Sequence, residues 1–251
     1  MTEELLSLRV LLASDSPVNY DLFRRAASAS KVPVEIVEAG DAISARGSIA
    51  TGIDLAFLDF ALGSKTVEQV TAAARAASKP PFTVLLCAPE TAAPFQTDAL
   101  AAKPSQSEEA VRLLERSIRT RLPCRVMVVD DSSTMRSIVR KTLAATRFPL
   151  EVTEVAQGGE AIELSRQGEF DIVFLDYNMP GFNGLETVTE FRRYAKRNAT
   201  FVLISSMQDE AVIARARALG VAFLKKPFFP ADIEAVMCSF YGLRALNPRR
   251  S

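Results

Sequence analysis

Asp130, Asp131, Asp176, Ser205 and Lys226 are the residues of this chain whose types and order could do chemistry together. Three carboxylates gathered at one place repel one another, so ionising all of them is costly without a counter-charge. A hard divalent cation with oxygen ligands meets that need. Mg2+ suits a site of a few carboxylates, waters and phosphate oxygens. The Lys226 ammonium supplies a second positive charge, able to pair with an anionic group near Asp176. Pro227 follows it and biases the lysine backbone toward an extended form, which helps fix its direction. A carboxylate, a hydroxyl, a lysine and a metal around one point suit phosphoryl transfer, where positioning and charge neutralisation dominate. The 251 residues include no histidine, which excludes His-based triads, His-ligated metals and autophosphorylation on histidine. A phosphoryl group would have to come from another molecule.

Such residues meet only if the chain brings them to one edge, and the apolar pattern provides for this. Short apolar runs at 125–129, 150–155, 171–175, 200–205 and 221–224 read as buried strands, since they are apolar almost throughout. Stretches of helical period lie at 133–146, 158–167, 184–197, 208–219 and 231–243. Five strand–helix units in succession predict an α/β fold, a parallel sheet with helices on both faces. In such sheets ligands gather at the carboxyl ends of the strands, and each of the polar residues above ends or follows a strand. Ser132 or Ser133 can cap the first of these helices. The basic run Arg192, Arg193, Lys196 and Arg197 ends the third, where it complements the helix dipole.

The same pattern occurs twice. Arg9–Ser16 parallels Arg125–Ser132, Asp54–Asp59 parallels Asp171–Asp176, and Lys103-Pro104 parallels Lys226-Pro227. The copies lie about 120 residues apart, a normal domain length. Strands of the first are expected near 9–13, 33–38, 54–58, 82–87 and 98–101, with domains over 1–122 and 123–251 and Pro123 stopping the helix before it.

Composition narrows the classes. Lys+Arg and Asp+Glu both total 30, so no basic excess suggests a nucleic-acid partner. No apolar run has the length of a membrane span, and the acidic start Met1-Thr2-Glu3-Glu4 is unlike a secretory signal. A cytoplasmic protein is expected. Cys87, Cys124 and Cys238 are too few and too scattered for a disulfide framework or a zinc site.

Four stretches of the second copy carry a family resemblance: Asp130-Asp131-Ser132-Ser133-Thr134-Met135-Arg136, Leu175-Asp176-Tyr177-Asn178-Met179-Pro180, Ile204-Ser205-Ser206 and Lys225-Lys226-Pro227-Phe228. This copy resembles a receiver domain of two-component response regulators, and is especially similar to the stand-alone chemotaxis receiver. The resemblance implies two tandem flavodoxin-like (βα)5 receivers. It implies Asp176 as phosphoacceptor and Asp131 as a direct Mg2+ ligand. Asp130 would act mainly through a water, and the Asn178 backbone carbonyl would complete the protein ligands. Ser205 and Lys226 would hold the phosphoryl group, with Ser205 and Phe223 as the switch pair. The implied partners are a histidine kinase or histidine phosphotransfer protein upstream and a protein target downstream, with pairing of two copies also open. The implied role is that of a phosphoacceptor rather than an enzyme, with at most slow self-dephosphorylation.

The first copy departs from this pattern. Ser14 replaces the first acid, Asp15 and Asp59 remain, Ala61 stands for Asn178, Cys87 for Ser205, and Lys103 is kept. Cys87 to Lys103 is 103 − 87 = 16 residues, against 226 − 205 = 21 in the second copy. The deletion falls on the fourth helix, which Pro89 and Pro94 also discourage. The expectation is a degenerate receiver whose work is to bind. Only Ala245 to Ser251 follows the last expected helix, so output is expected through protein contacts. Other readings stay open: the receiver part of a larger protein such as a diguanylate cyclase or hybrid kinase, or a phosphate sink or scaffold. A phosphohydrolase of the haloacid-dehalogenase type would need an aspartate two residues after the nucleophile, where Asn178 stands.

Overall fold

Long buried runs and short turns give each half of the chain a parallel sheet. The computed structural model describes residues 7–88, 95–206 and 209–246. Two compact units emerge, one holding Met1–Leu122 with Met237–Arg250 and the other Pro123–Val236.

The first unit has strands β1 (Leu8–Ala13), β2 (Val34–Ala39), β3 (Leu55–Asp59), β4 (Phe82–Leu86) and β5 (Ala99–Ala101). Their order is β2-β1-β3-β4-β5 and every neighbouring pair is parallel. Helices α1 (Pro17–Ala29), α2 (Ala42–Ala50), α3 (Ser64–Ala76) and α4 (Ser107–Arg119) connect or follow them. Leu11, Ala56, Leu58, Val67 and Val70 lie in a core beneath α2 and α3. The shortened path between β4 and β5, where no fourth helix is expected, falls mostly on residues 89–94, which with Pro89 and Pro94 lie outside the described residues. Residue 123–251 was the sequence-based span of the second domain. In the structure the segment from Met237 groups with the first unit, where Leu100 and Arg244 exchange backbone hydrogen bonds of 2.8 and 2.9 Å.

The second unit repeats the plan with β6 (Cys124–Val129), β7 (Leu150–Val155), β8 (Ile172–Asp176), β9 (Thr200–Ser205) and β10 (Ala222–Lys225) in the order β10-β9-β8-β6-β7. Its helices are α5 (Ser133–Ala144), α6 (Gly158–Gln167), α7 (Gly184–Tyr194) and α8 (Glu210–Ala218). A ninth, α9 (Pro230–Phe240), begins in this unit and runs on past Val236. Val173, Leu175, Phe191, Phe201 and Leu203 are buried in its core. Both sheets thus have the doubly wound order 2-1-3-4-5, with helices on both faces. The expectation of fully buried strands holds for β8 and, beyond its first residue, β9; β7 and β10 are edges with exposed positions.

Helix α7 ends at Tyr194 with Arg192 and Arg193 in its last turn, where their charge complements the helix dipole, while Lys196 and Arg197 lie beyond its end. Arg192 also donates to the Leu219 carbonyl at 2.7 Å, after α8, and Arg197 pairs with Asp171 at 3.5 Å. Guanidinium groups that long reach a neighbouring element as easily as their own carbonyls.

Candidate functional site

Strands β6 and β8 are neighbours at the point where the sheet order reverses, so their carboxyl ends open a crevice between them. Asp176 is the last residue of β8 and Asp130 follows β6; both are buried. The turn after β6 is held by Ser132, whose amide donates to Asp130 Oδ1 at 2.9 Å and whose hydroxyl caps α5 by accepting from Met135 N. After β8, the Asn178 amide donates to Asp176 Oδ2 at 2.9 Å. Each carboxylate therefore has one oxygen tied to the following turn and the other turned to the crevice.

Lys226 joins them. Its ammonium lies 2.6 Å from Asp176 Oδ1 and 3.2 Å from Asp130 Oδ2. Its amide donates to the Ser205 carbonyl at 2.8 Å, which seats the residue just past the end of β9. Burial pushes the Asp176 carboxyl up, Lys226 pulls it down and Asp130 pushes it up again, leaving it above the ordinary carboxylate range. Burial works against the Lys226 charge, but Asp176 and Asp130 outweigh it and raise its affinity for the proton. One ammonium does not offset two buried carboxylates with a third, Asp131, exposed beside them.

The structure thus brings Asp130, Asp176, Lys226 and the Asn178 amide into contact. Ser205 is buried at the end of β9, in register with Lys225. Phe223, one residue into β10, is half-buried against the core around Leu203 and Val221. Among the described residues, no three His, Cys, Asp or Glu side chains are already drawn into a metal-binding group; Lys226 stands between Asp130 and Asp176. The donor set nonetheless fits Mg2+: oxygen ligands in excess negative charge, with two carboxylate oxygens facing one crevice.

The corresponding edge of the first unit is built differently. Asp59 is buried at the end of β3. Its Oδ2 accepts from Ser14 Oγ at 2.8 Å, Asn19 Nδ2 at 2.8 Å and Lys103 Nζ at 2.7 Å, while Oδ1 accepts from the Ala61 amide at 3.0 Å. Asp15 is exposed, and Cys87 is buried after β4, its amide donating to the Ala101 carbonyl. Asn19 escaped the sequence reading. The repeat alignment held the signal, since Asn19 falls opposite Met135, a polar residue where the other copy has an apolar one. Tyr20 and Arg136 are likewise aligned: each donates to the backbone carbonyl that ends the first strand, Ser14 and Asp130 respectively.

Residues 126–237 match the family model of the response regulator receiver domain. The cyclic di-GMP phosphodiesterase response regulator RpfG of Xanthomonas campestris pv. campestris (strain 8004) is 31% identical over 121 residues, 47% of this chain and 32% of that protein. The nitrate/nitrite response regulator protein NarL of Escherichia coli (strain K12) is 29% identical over 111 residues, 44% of this chain and 51% of that protein. The chain thus spans 32% to 51% of the length of these curated relatives. A solved structure described as a probable two-component system response regulator/GGDEF domain protein is similar in fold. It has a TM-score of 0.58 and 21% identity, covering 94% of this chain and 98% of that one. Among the described residues no helix is long and apolar enough to cross a membrane. The acidic crevice at the ends of β6 and β8 therefore lies within the segment that matches the response regulator receiver domain.

Proposed function

We propose that Asp176 accepts a phosphoryl group from a phosphohistidine on a partner histidine kinase or phosphotransfer protein. The observation that carries this reading is the buried Asp176 carboxylate held 2.6 Å from Lys226, with Asp130 on the same ammonium. In the transfer an Asp176 oxygen attacks phosphorus and a phosphorus–oxygen bond forms. The phosphorus–nitrogen bond breaks, and its electron pair stays on the imidazole nitrogen. Asp130, Asp131, Asp176 and the Asn178 carbonyl are the residues that would hold Mg2+. When bound, the ion neutralises charge on carboxylates and phosphoryl oxygens. Lys226 keeps Asp176 aimed and pairs with the incoming oxygens, and Ser205 donates a hydrogen bond to them. Movement of Ser205 toward the phosphoryl group frees space for Phe223, a local change that biases a two-state surface around α8, β10 and α9.

The protein acts in this reading as a phosphoacceptor and not as an enzyme, and its output is a protein contact. A second reading is favoured by RpfG, of which the matched 121 residues make up 32%: the two units are the receiver part of a longer signalling protein. Beryllofluoride or acetyl phosphate with Mg2+ tests the common core of both. Wild-type protein is expected to bind or become labelled, and Asp176→Asn to lose the response entirely. An unresponsive wild type, or an Asp176→Asn variant that responds as well, would overturn it.

A further inference from the structure

Resting on the Asp176 reading and going beyond it, we infer that Ser14 and Asn19 determine which of the two aspartates is the acceptor. They seal Asp59 with hydrogen bonds and turn its crevice into one that takes no divalent cation.

A carboxylate offers about four lone-pair positions to donors. Four protein donors engage Asp59: Ser14, Asn19 and Lys103 on Oδ2 and the Ala61 amide on Oδ1. The network is closed behind them. Ser14 Oγ itself accepts from Asn19 Nδ2 at 2.8 Å and from the Ser16 amide at 3.2 Å, which commits its hydroxyl proton to Asp59. Ser14, Asn19 and Asp59 are all buried, so water does not compete for these bonds. At Asp176 the equivalent neighbours are the acid Asp130 and, in place of Asn19, the thioether Met135, which offers no N–H.

Charge leads to the same conclusion. The second crevice carries Asp130, Asp131 and Asp176 against Lys226, an excess of negative charge that a divalent cation can offset. In the first, Ser14 and Asn19 are neutral, so only Asp59 and Asp15, exposed like Asp131, stand against Lys103, which pairs with Asp59 at 2.7 Å. A cation there would have to displace two buried neutral donors and sit against an ammonium. The residues do not fit Mg2+, although the fold and Asp59 itself are retained. An aspartate whose Oδ2 is already engaged by three donors, and which holds no metal, is a poor nucleophile toward phosphorus.

The test uses the full chain, radiolabelled acetyl phosphate and Mg2+. In the labelling step an aspartate oxygen attacks phosphorus, the bond from phosphorus to the acetyl oxygen breaks, and acetate leaves with the electron pair. Asp59→Asn is expected to label as wild type does, and Asp176→Asn to show no label. Adding Ser14→Asp and Asn19→Met to Asp176→Asn, the residues of the second copy, is expected to create Mg2+-dependent labelling that Asp59→Asn removes. Label on Asp59 in the Asp176→Asn protein overturns the inference, as does a triple variant that keeps its circular dichroism yet stays unlabelled. Should that variant fail to fold, an NMR titration of wild type with Mg2+ decides. The Ala61 amide must stay unmoved while the Asn178 amide shifts; a shift of Ala61 overturns the inference. Wild type that takes no label at all refutes the Asp176 reading instead, and the Ala61 titration still judges the seal on Asp59.

Discussion

Asp54 and Asp171 each stand one step before the third strand of their unit and accept a backbone amide of the first strand, Arg9 N and Arg125 N, both at 3.0 Å. Each also meets a cation, Lys79 at 2.7 Å and Arg197 at 3.5 Å. Burial pushes the Asp54 carboxyl up, but the Lys79 and Arg9 hydrogen bonds outweigh it and hold the group below the ordinary range. A carboxyl whose affinity for protons is lowered by folding stabilises the protein above its unfolded value, about 3.9, and loses that contribution as pH falls through the folded value. Lys79 is largely exposed, so Lys79→Met should cost only about 0.5–1 kcal/mol at neutral pH. Urea unfolding should show that gap closing below about pH 4. A gap that persists unchanged at pH 3 would mean that Lys79 acts through packing and not through Asp54.

At the scale of elements, the geometry of Asp176 depends on how closely α7 starts against the ends of β8 and β9. Gly184 is the first residue of α7, and its amide donates to the Tyr177 carbonyl at 3.0 Å. A Cβ at Gly184 would lie 2.6 Å from Leu203 Cδ1 and 2.7 Å from the Asp176 carbonyl oxygen. Backbone cannot give way there without moving the acidic residue. Gly184→Ala is therefore expected to lower stability by about 1–3 kcal/mol, the usual cost of overpacking. It should also slow acetyl-phosphate labelling, because the end of β8 shifts with the strain. Thermal melts and labelling rates check both. Unchanged values in both would show that Leu203 absorbs the added methyl. The Asn183 cap, which accepts from the Leu185 and Glu186 amides, marks the same helix start and was not singled out in the sequence.

For the whole molecule, two copies of one fold carry unequal sites, so the number of phosphoryl groups per chain is a readable quantity. One group per chain is expected from intact-mass measurement after saturation with phosphodonor, and none when EDTA replaces Mg2+. Two groups per chain would show that Asp59 is also an acceptor.

Much of this was legible from residue order alone. Apolar run length and helical period are local properties, and they placed the strands within a residue or two and put Asp130, Asp176, Ser205 and Lys226 at strand ends. The repeat also exposed Ser14 and the short path between Cys87 and Lys103. Tertiary structure decided what those residues meet, because a hydrogen bond depends on which distant side chains the packed elements bring within 3 Å of each other. Asn19 reaches Asp59 from the inner face of α1, Lys226 is shared by two carboxylates, and Arg192 leaves its own helix for the Leu219 carbonyl. Residue order located two acidic sites; only the fold showed that Lys226 is shared by Asp130 and Asp176 in one, while Ser14, Asn19 and Lys103 all converge on Asp59 in the other.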